Sequence, residues 1–201
     1  MHAHATGAGA PGFLALSGMW FVMMALMMAP TVWPWVRAFH RFGSRGDNLA
    51  ARAIATATFV SGYLTAWLLY STAAAGFQLQ IAPTRYVGAG LLAGAGLFQL
   101  ASLKRACLTH CRSPYSYFLA RWRNEPAGGF RIGFGHGIFC VGCCWALMAT
   151  ALAVGVMNLW WMAALTVTAF AEQALPNGDR LRVPVGVALV AAGVLQATAF
   201  P

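Results

Sequence analysis

Apolar residues fall into six long runs, at 13–33, 53–75, 86–103, 132–156, 159–175 and 183–200, with polar stretches between them. Each run approaches the ~20 residues a helix needs to cross a bilayer. In hydrocarbon every backbone polar group must be paired within the protein, so runs of this length predict helices. The alternating pattern of an outer-membrane barrel is absent. The expected fold is all-α, a polytopic membrane helical bundle of about six transmembrane helices. No polar stretch is long enough for a second domain, so residues 1–201 read as one integral-membrane unit. The longest connection, about 104–131, contains SPYSYFLARWR and predicts an amphipathic stretch on the cytoplasmic surface.

Composition sharpens this picture. The chain is 60% hydrophobic and 8% charged, with mean hydropathy +0.65, whereas soluble domains carry about 25% charged residues. The net charge of +9 does not point to nucleic acid, because the basic residues lie between apolar runs and form no continuous stripe. Arg37, Arg41, Arg45 and Arg52 separate runs one and two. Lys104, Arg105, Arg112, Arg121, Arg123 and Arg131 separate three and four, and Arg180 and Arg182 separate five and six. Arg85 alone falls on the other side, a bias of twelve to one. Cationic loops stay cytoplasmic, so both termini are expected on the non-cytoplasmic side of a bacterial inner membrane. The first run has no basic n-region and no small-residue cleavage site, so it reads as a retained span. Trp33 with Trp35, and Trp160 with Trp161, suit interfacial belts. Gly90 and Gly94, four apart, predict close helix packing inside the monomer, with a dimer contact as the alternative.

The soft donor atoms are concentrated. GFGHGIFCVGCCWALM, residues 133–148, holds three of the five cysteines and one of the five histidines. At about 100° per residue, Cys140, Cys143 and Cys144 lie roughly 40°, −20° and 80° from His136, on one helix face. Thiolate and imidazole together suit copper(I), zinc or an iron–sulfur centre. A second soft set is MWFVMMALMM, residues 19–28, with five of the nine methionines. Thioethers favour copper(I), which places it ahead of zinc. Counting ~1.5 Å of rise per residue puts Met23 beside Cys144 near mid-membrane and Met27 beside Cys140 about one turn toward the cytoplasm. Glu172 falls at about the depth of His136, and an intramembrane carboxylate marks a functional site by default. It is a candidate ligand, an acceptor for His136, or a proton acceptor. Cys107 and Cys111, in CLTHCRSP, are one turn apart and predicted cytoplasmic, where thiols stay reduced; a relay site for metal is their expected use.

These residues resemble a bacterial family of predicted metal-binding integral membrane proteins, catalogued as domain of unknown function 2182. The resemblance rests on GFGHGIFCVGCCWALM, the following GVMNLWWM and EQALPNG, the Met-rich first run ending at Pro30, GYLTAW and CLTHCRSP, and it covers about residues 19–178. It implies metal binding by His136, Cys140, Cys143 and Cys144 and a role for Met157, Asn158 and Glu172. Gln173, next to that glutamate, departs from the lysine common in the family.

The expected function is soft-metal handling, delivery or storage, with His136, Cys140, Cys143, Cys144, Glu172, Met23, Met27, Cys107 and Cys111 as candidate ligands. Expected partners are the bilayer and a metal donor or acceptor protein. Three alternatives stay open. The chain is an accessory subunit of a larger respiratory, photosynthetic or oxygenase complex. It is a thiol–disulfide oxidoreductase, though no C-x-x-C stands in an exposed loop. Or it binds haem through His136, with no second histidine inside a run to complete the ligation. No catalytic constellation is present, so the reading leans away from an enzyme.

Overall fold

The computed structural model describes residues 12–42, 49–82, 84–121, 127–155 and 158–199. The described residues are helical, without strands. In chain order they form α1 (Phe13–Phe42), α2 (Leu49–Gln80), α3 (Arg85–Leu100), α4 (Ser102–Cys111), α5 (Pro114–Arg121), α6 (Gly128–Ala149), α7 (Ala151–Val154), α8 (Leu159–Ala174) and α9 (Arg182–Thr198), with a 3-10 turn, Gly178–Leu181, before the last.

Each predicted run becomes a helix, but not each is a simple span. Four helical stretches are long and apolar enough to cross a membrane: Phe13–Arg41, Leu49–Gln80, Gly128–Val154 and Gly178–Thr198. The third predicted run ends early. Ala101 takes an extended conformation, and α3 and α4 meet there at 68°. Arg182 caps the break by donating to the carbonyls of Gln99 and Leu100, at 3.3 and 3.1 Å. The run at 159–175 gives α8 with only 16 residues.

Two seams bring helices together through glycine. Along α2 and α6, Gly62, Gly133 and Gly137 stand where any side chain would collide with the facing helix. A Cβ at Gly133 would overlap the Phe59 carbonyl, and one at Gly137 would come 2.7 Å from the Ala66 Cβ. Along α3 and α9, Gly96, Gly186 and Gly193 do the same, and Gly88 faces the end of the Gln196 side chain; a Cβ on Gly96 would sit 2.6 Å from the Gly186 carbonyl oxygen. The close approach expected of Gly90 and Gly94 is therefore made by Gly96. Gly90 and Gly94 face open space, because the α9 contact falls on the other side of α3.

The surface is apolar and the interior is not uniformly so. Leu14, Leu26, Leu97, Leu159, Trp160 and Leu195 are exposed, while Lys104 and Glu172 are 0% and 1% accessible. Two clusters fill the bundle. The larger holds Trp20, Met23, Met24, Met27, Met28, Tyr63, Trp67 and four cysteines; the smaller is aromatic, with Trp35, Phe39, Phe59, Tyr117 and Phe118.

Candidate metal centre

α6 carries the cysteine face, and the α2 seam fixes how that face is turned. Cys140, Cys143 and Cys144 are all buried, at 0%, 1% and 1% exposure. Cys143 Sγ lies 3.4 Å from Cys144 Sγ and 3.2 Å from the Cys140 carbonyl oxygen. The Tyr63 hydroxyl, from α2, lies 3.4 Å from Cys140 Sγ.

The fourth thiol arrives from α4. Lys104, Leu108 and Cys111 recur at i, i+4 and i+7, and this face is buried in the bundle. Cys111 Sγ comes to 3.8 Å from Cys143 Sγ. The other face holds Arg105 and Thr109, which are exposed. Three anchors hold α4 there. Trp35 Nε1 donates to the Cys111 carbonyl at 2.9 Å. Arg112 pairs with Asp179 at 2.9 Å and also reaches the carbonyls of Leu175 and Pro176. Lys104 Nζ meets Glu172 Oε2 at 2.6 Å. Part of the 104–131 stretch, read as a surface layer, is thus an interior wall of the site. Cys107 is half-buried and rests over Gly142, whose absent Cβ would lie 3.3 Å from its Sγ.

Glu172 has both oxygens engaged, Oε2 with Lys104 and Oε1 with Gln99 Nε2 at 3.0 Å. It therefore stands beside the thiols as half of a buried ion pair. Such a pair is tolerated only when both charges are matched and hydrogen-bonded. The next residue, Gln173, turns into the cluster. Its Nε2 lies 3.2, 3.8 and 3.9 Å from the sulfurs of Cys144, Cys143 and Cys140. The sequence singled out neither Lys104 nor Gln173 as a site residue. Lys104 counted among loop charges, and its i, i+4, i+7 relation to Leu108 and Cys111 was the available signal.

His136 shares the cysteine arc but stands among different neighbours. Its ring stacks on Trp35, with centroids 3.6 Å apart, and lies parallel to Tyr63 at 5.5 Å. Its Nε2 is buried with no hydrogen-bond partner. Trp35, expected in a surface belt, is instead 3% exposed, whereas Trp33 and Trp160 are exposed. Met23 and Met27 lie in the core cluster with the four buried cysteines, and so do Met24 and Met28, which are fully buried. Asn158 caps α8 by accepting from Trp161 N at 3.1 Å, and Met157 lies outside the described residues.

Among the described residues, no group of three or more His, Cys, Asp or Glu side chains stands ready-made around a common ion position. The thiols, all free, instead make a chain of hydrogen-bonding contacts, Cys111 to Cys143 to Cys144. Sulfur pairs 3.4–3.8 Å apart need move little to share a soft ion, given metal–sulfur bonds of ~2.3 Å. All-sulfur donors with no free carboxylate select a soft cation. No curated protein and no solved structure matches the chain. A family model described as copper chaperone, PpoB2, matches residues 17–196. It supports copper as the expected metal and bears a family name other than the one the sequence resembled, and on a match over nearly the whole chain this protein belongs to the PpoB2 copper chaperone family.

Proposed function

We propose that this is an integral membrane chaperone of the bacterial inner membrane that takes copper(I) on the thiols of Cys111, Cys140, Cys143 and Cys144 and passes it to an acceptor. The observation that carries the reading is the approach of Cys111, from α4, to Cys143, from α6, at 3.8 Å, with Cys144 in turn 3.4 Å from Cys143. Packing alone does not call for thiols from two helices to converge beside a carboxamide. The family supplies copper as cargo. The donor set favours the cuprous ion over zinc, since the one nearby carboxylate is consumed by Lys104 and Gln99. His136, with its unpaired Nε2 one turn down α6, and half-buried Cys107 are the next donors along the path in and out. Met23 and Met27 line the same core. Membrane insertion is supported by the four long apolar helices and the large apolar side chains on their outer faces; orientation rests on the basic loops.

The test is elemental analysis of the full chain, purified in mild detergent under anaerobic reducing conditions from copper-fed cells. The wild type should carry copper at a fixed ratio per chain, and the Cys140→Ser/Cys143→Ser variant should carry almost none. A double variant that keeps the wild-type ratio would falsify the ligand assignment. Copper-free protein that co-purifies with a fixed set of other subunits would replace this reading with that of an accessory subunit.

A further inference from the structure

Gln173 is a buried side chain with an unusual set of neighbours. It is 8% exposed, its amide nitrogen faces three sulfurs, and its Oε1 is buried with no hydrogen-bond partner. A carboxamide is costly to bury with one end unpaired, and neutral thiols are weak acceptors. The arrangement brings little to the chain by itself. Thiolate sulfur is a different acceptor. Hydrogen bonds to an ionised group are roughly twice as strong as neutral ones, and sulfurs that bind a metal do so as thiolates.

We infer that Gln173 is a positioning residue of the copper site: its carboxamide N–H groups bind the metal-bearing sulfurs, Cys144 first, and do for buried thiolates what water does at a surface. The inference rests on the copper reading above. The amide has two N–H donors for three sulfurs, so it serves at most two of them at once and biases which thiols carry the cargo. At 3.2 Å Cys144 has the first claim. The aim of the amide is set by the preceding residue. Glu172 is pinned by Lys104 from α4 and Gln99 from α3. That fixes the rotation of α8, and with it the direction of the residue one step on. The ion pair acts on the site through Gln173 rather than by touching the sulfurs. A neutral donor also holds without adding a permanent cation that would resist release, as suits cargo that must be handed on.

The experiment titrates wild type, Gln173→Leu and Gln173→Asn, as full chains in detergent, with Cu(I) against a chromophoric cuprous chelator. The thiolate-to-copper ultraviolet band and the thermal midpoint of the copper-free protein are read on the same samples. Loss of a partner that orients metal ligands costs about 10–100-fold in affinity. Gln173→Leu should fall in that range with a shifted band, while its copper-free midpoint holds or rises, because an unpaired polar atom has gone. Gln173→Asn keeps the amide but draws it back by one methylene, and should show the same loss. Wild-type affinity and an unshifted band in both variants would overturn the inference while leaving the copper reading standing. So would a loss of affinity that merely tracks a fall in the midpoint. A wild type that takes up no Cu(I) overturns both.

Discussion

At Gly129, Gly133 and Gly137, α6 meets α2 through bare backbone; between Cys140 and Cys144 the same helix presents side chains to sulfur, hydroxyl and amide groups. At those three glycines any side-chain atom beyond hydrogen would collide with the facing helix. In the second half the donors need side chains from α2, α4 and α8 to complete them. The two halves divide the labour. The glycine seam fixes the rotation and height of α6, and the thiol half inherits a position it does not stabilise. Interhelical contact in a membrane depends on such close approach, because apolar burial alone does not drive helices together in lipid.

The sharpest way to break this contrast lies off α6. Lys104→Ala leaves Glu172 charged, buried and without its cation, which costs about 3–5 kcal/mol; thermal unfolding in detergent should show it. Lys104→Met with Glu172→Leu should recover most of that loss, since an apolar pair of similar volume commonly replaces a buried ion pair without penalty. Gly133→Ala comes next, with an overpacking cost of about 1–3 kcal/mol. It should lower the yield of folded protein yet leave the copper content of the folded fraction unchanged. Copper lost in proportion to the number of folded chains supports the division of labour; copper lost from chains that remain folded contradicts it.

The thiol half should behave in the opposite way. Cys111→Ser removes the only thiol that α4 gives to the buried chain of sulfurs. It should weaken copper retention during chelator washes and shift the thermal midpoint by less than about 4 °C. A variant that retains copper as the wild type does would confine the site to α6. The smallest effect belongs to Gly94, which faces open space. Gly94→Ala should raise stability by about 0.5–1 kcal/mol through helix propensity, and destabilisation there would reveal a contact on that face.

What the sequence disclosed follows from how local each signal is. The apolar runs located all six main helices, and the arc of Cys140, Cys143 and Cys144 was legible because it depends only on helical periodicity. Cys111 could not be joined to that arc from the sequence. Its place requires the 68° turn at Ala101, which Arg182 stabilises through the carbonyl of Leu100, 82 residues away in the chain. Lys104 looked like a loop charge because its partner, Glu172, is distant in sequence. His136 shared the arc by angle, but one turn of rise placed it against Trp35 instead of among the sulfurs. Gln173 carried no signal of its own, since a glutamine beside a buried glutamate is ordinary until the helix facing it is known.

Trp35 touches both parts of the site: its ring lies flat on His136, and its N–H holds the carbonyl of Cys111. An indole so placed is an optical reporter built into the chain. Its emission responds to whatever alters the imidazole beneath it and to any shift of the helix end it holds. The difference in fluorescence between the wild type and a Trp35→Phe chain therefore isolates one indole among eight. If copper is taken up and released as proposed, that fluorescence difference would report it in real time, without a dye or an added label.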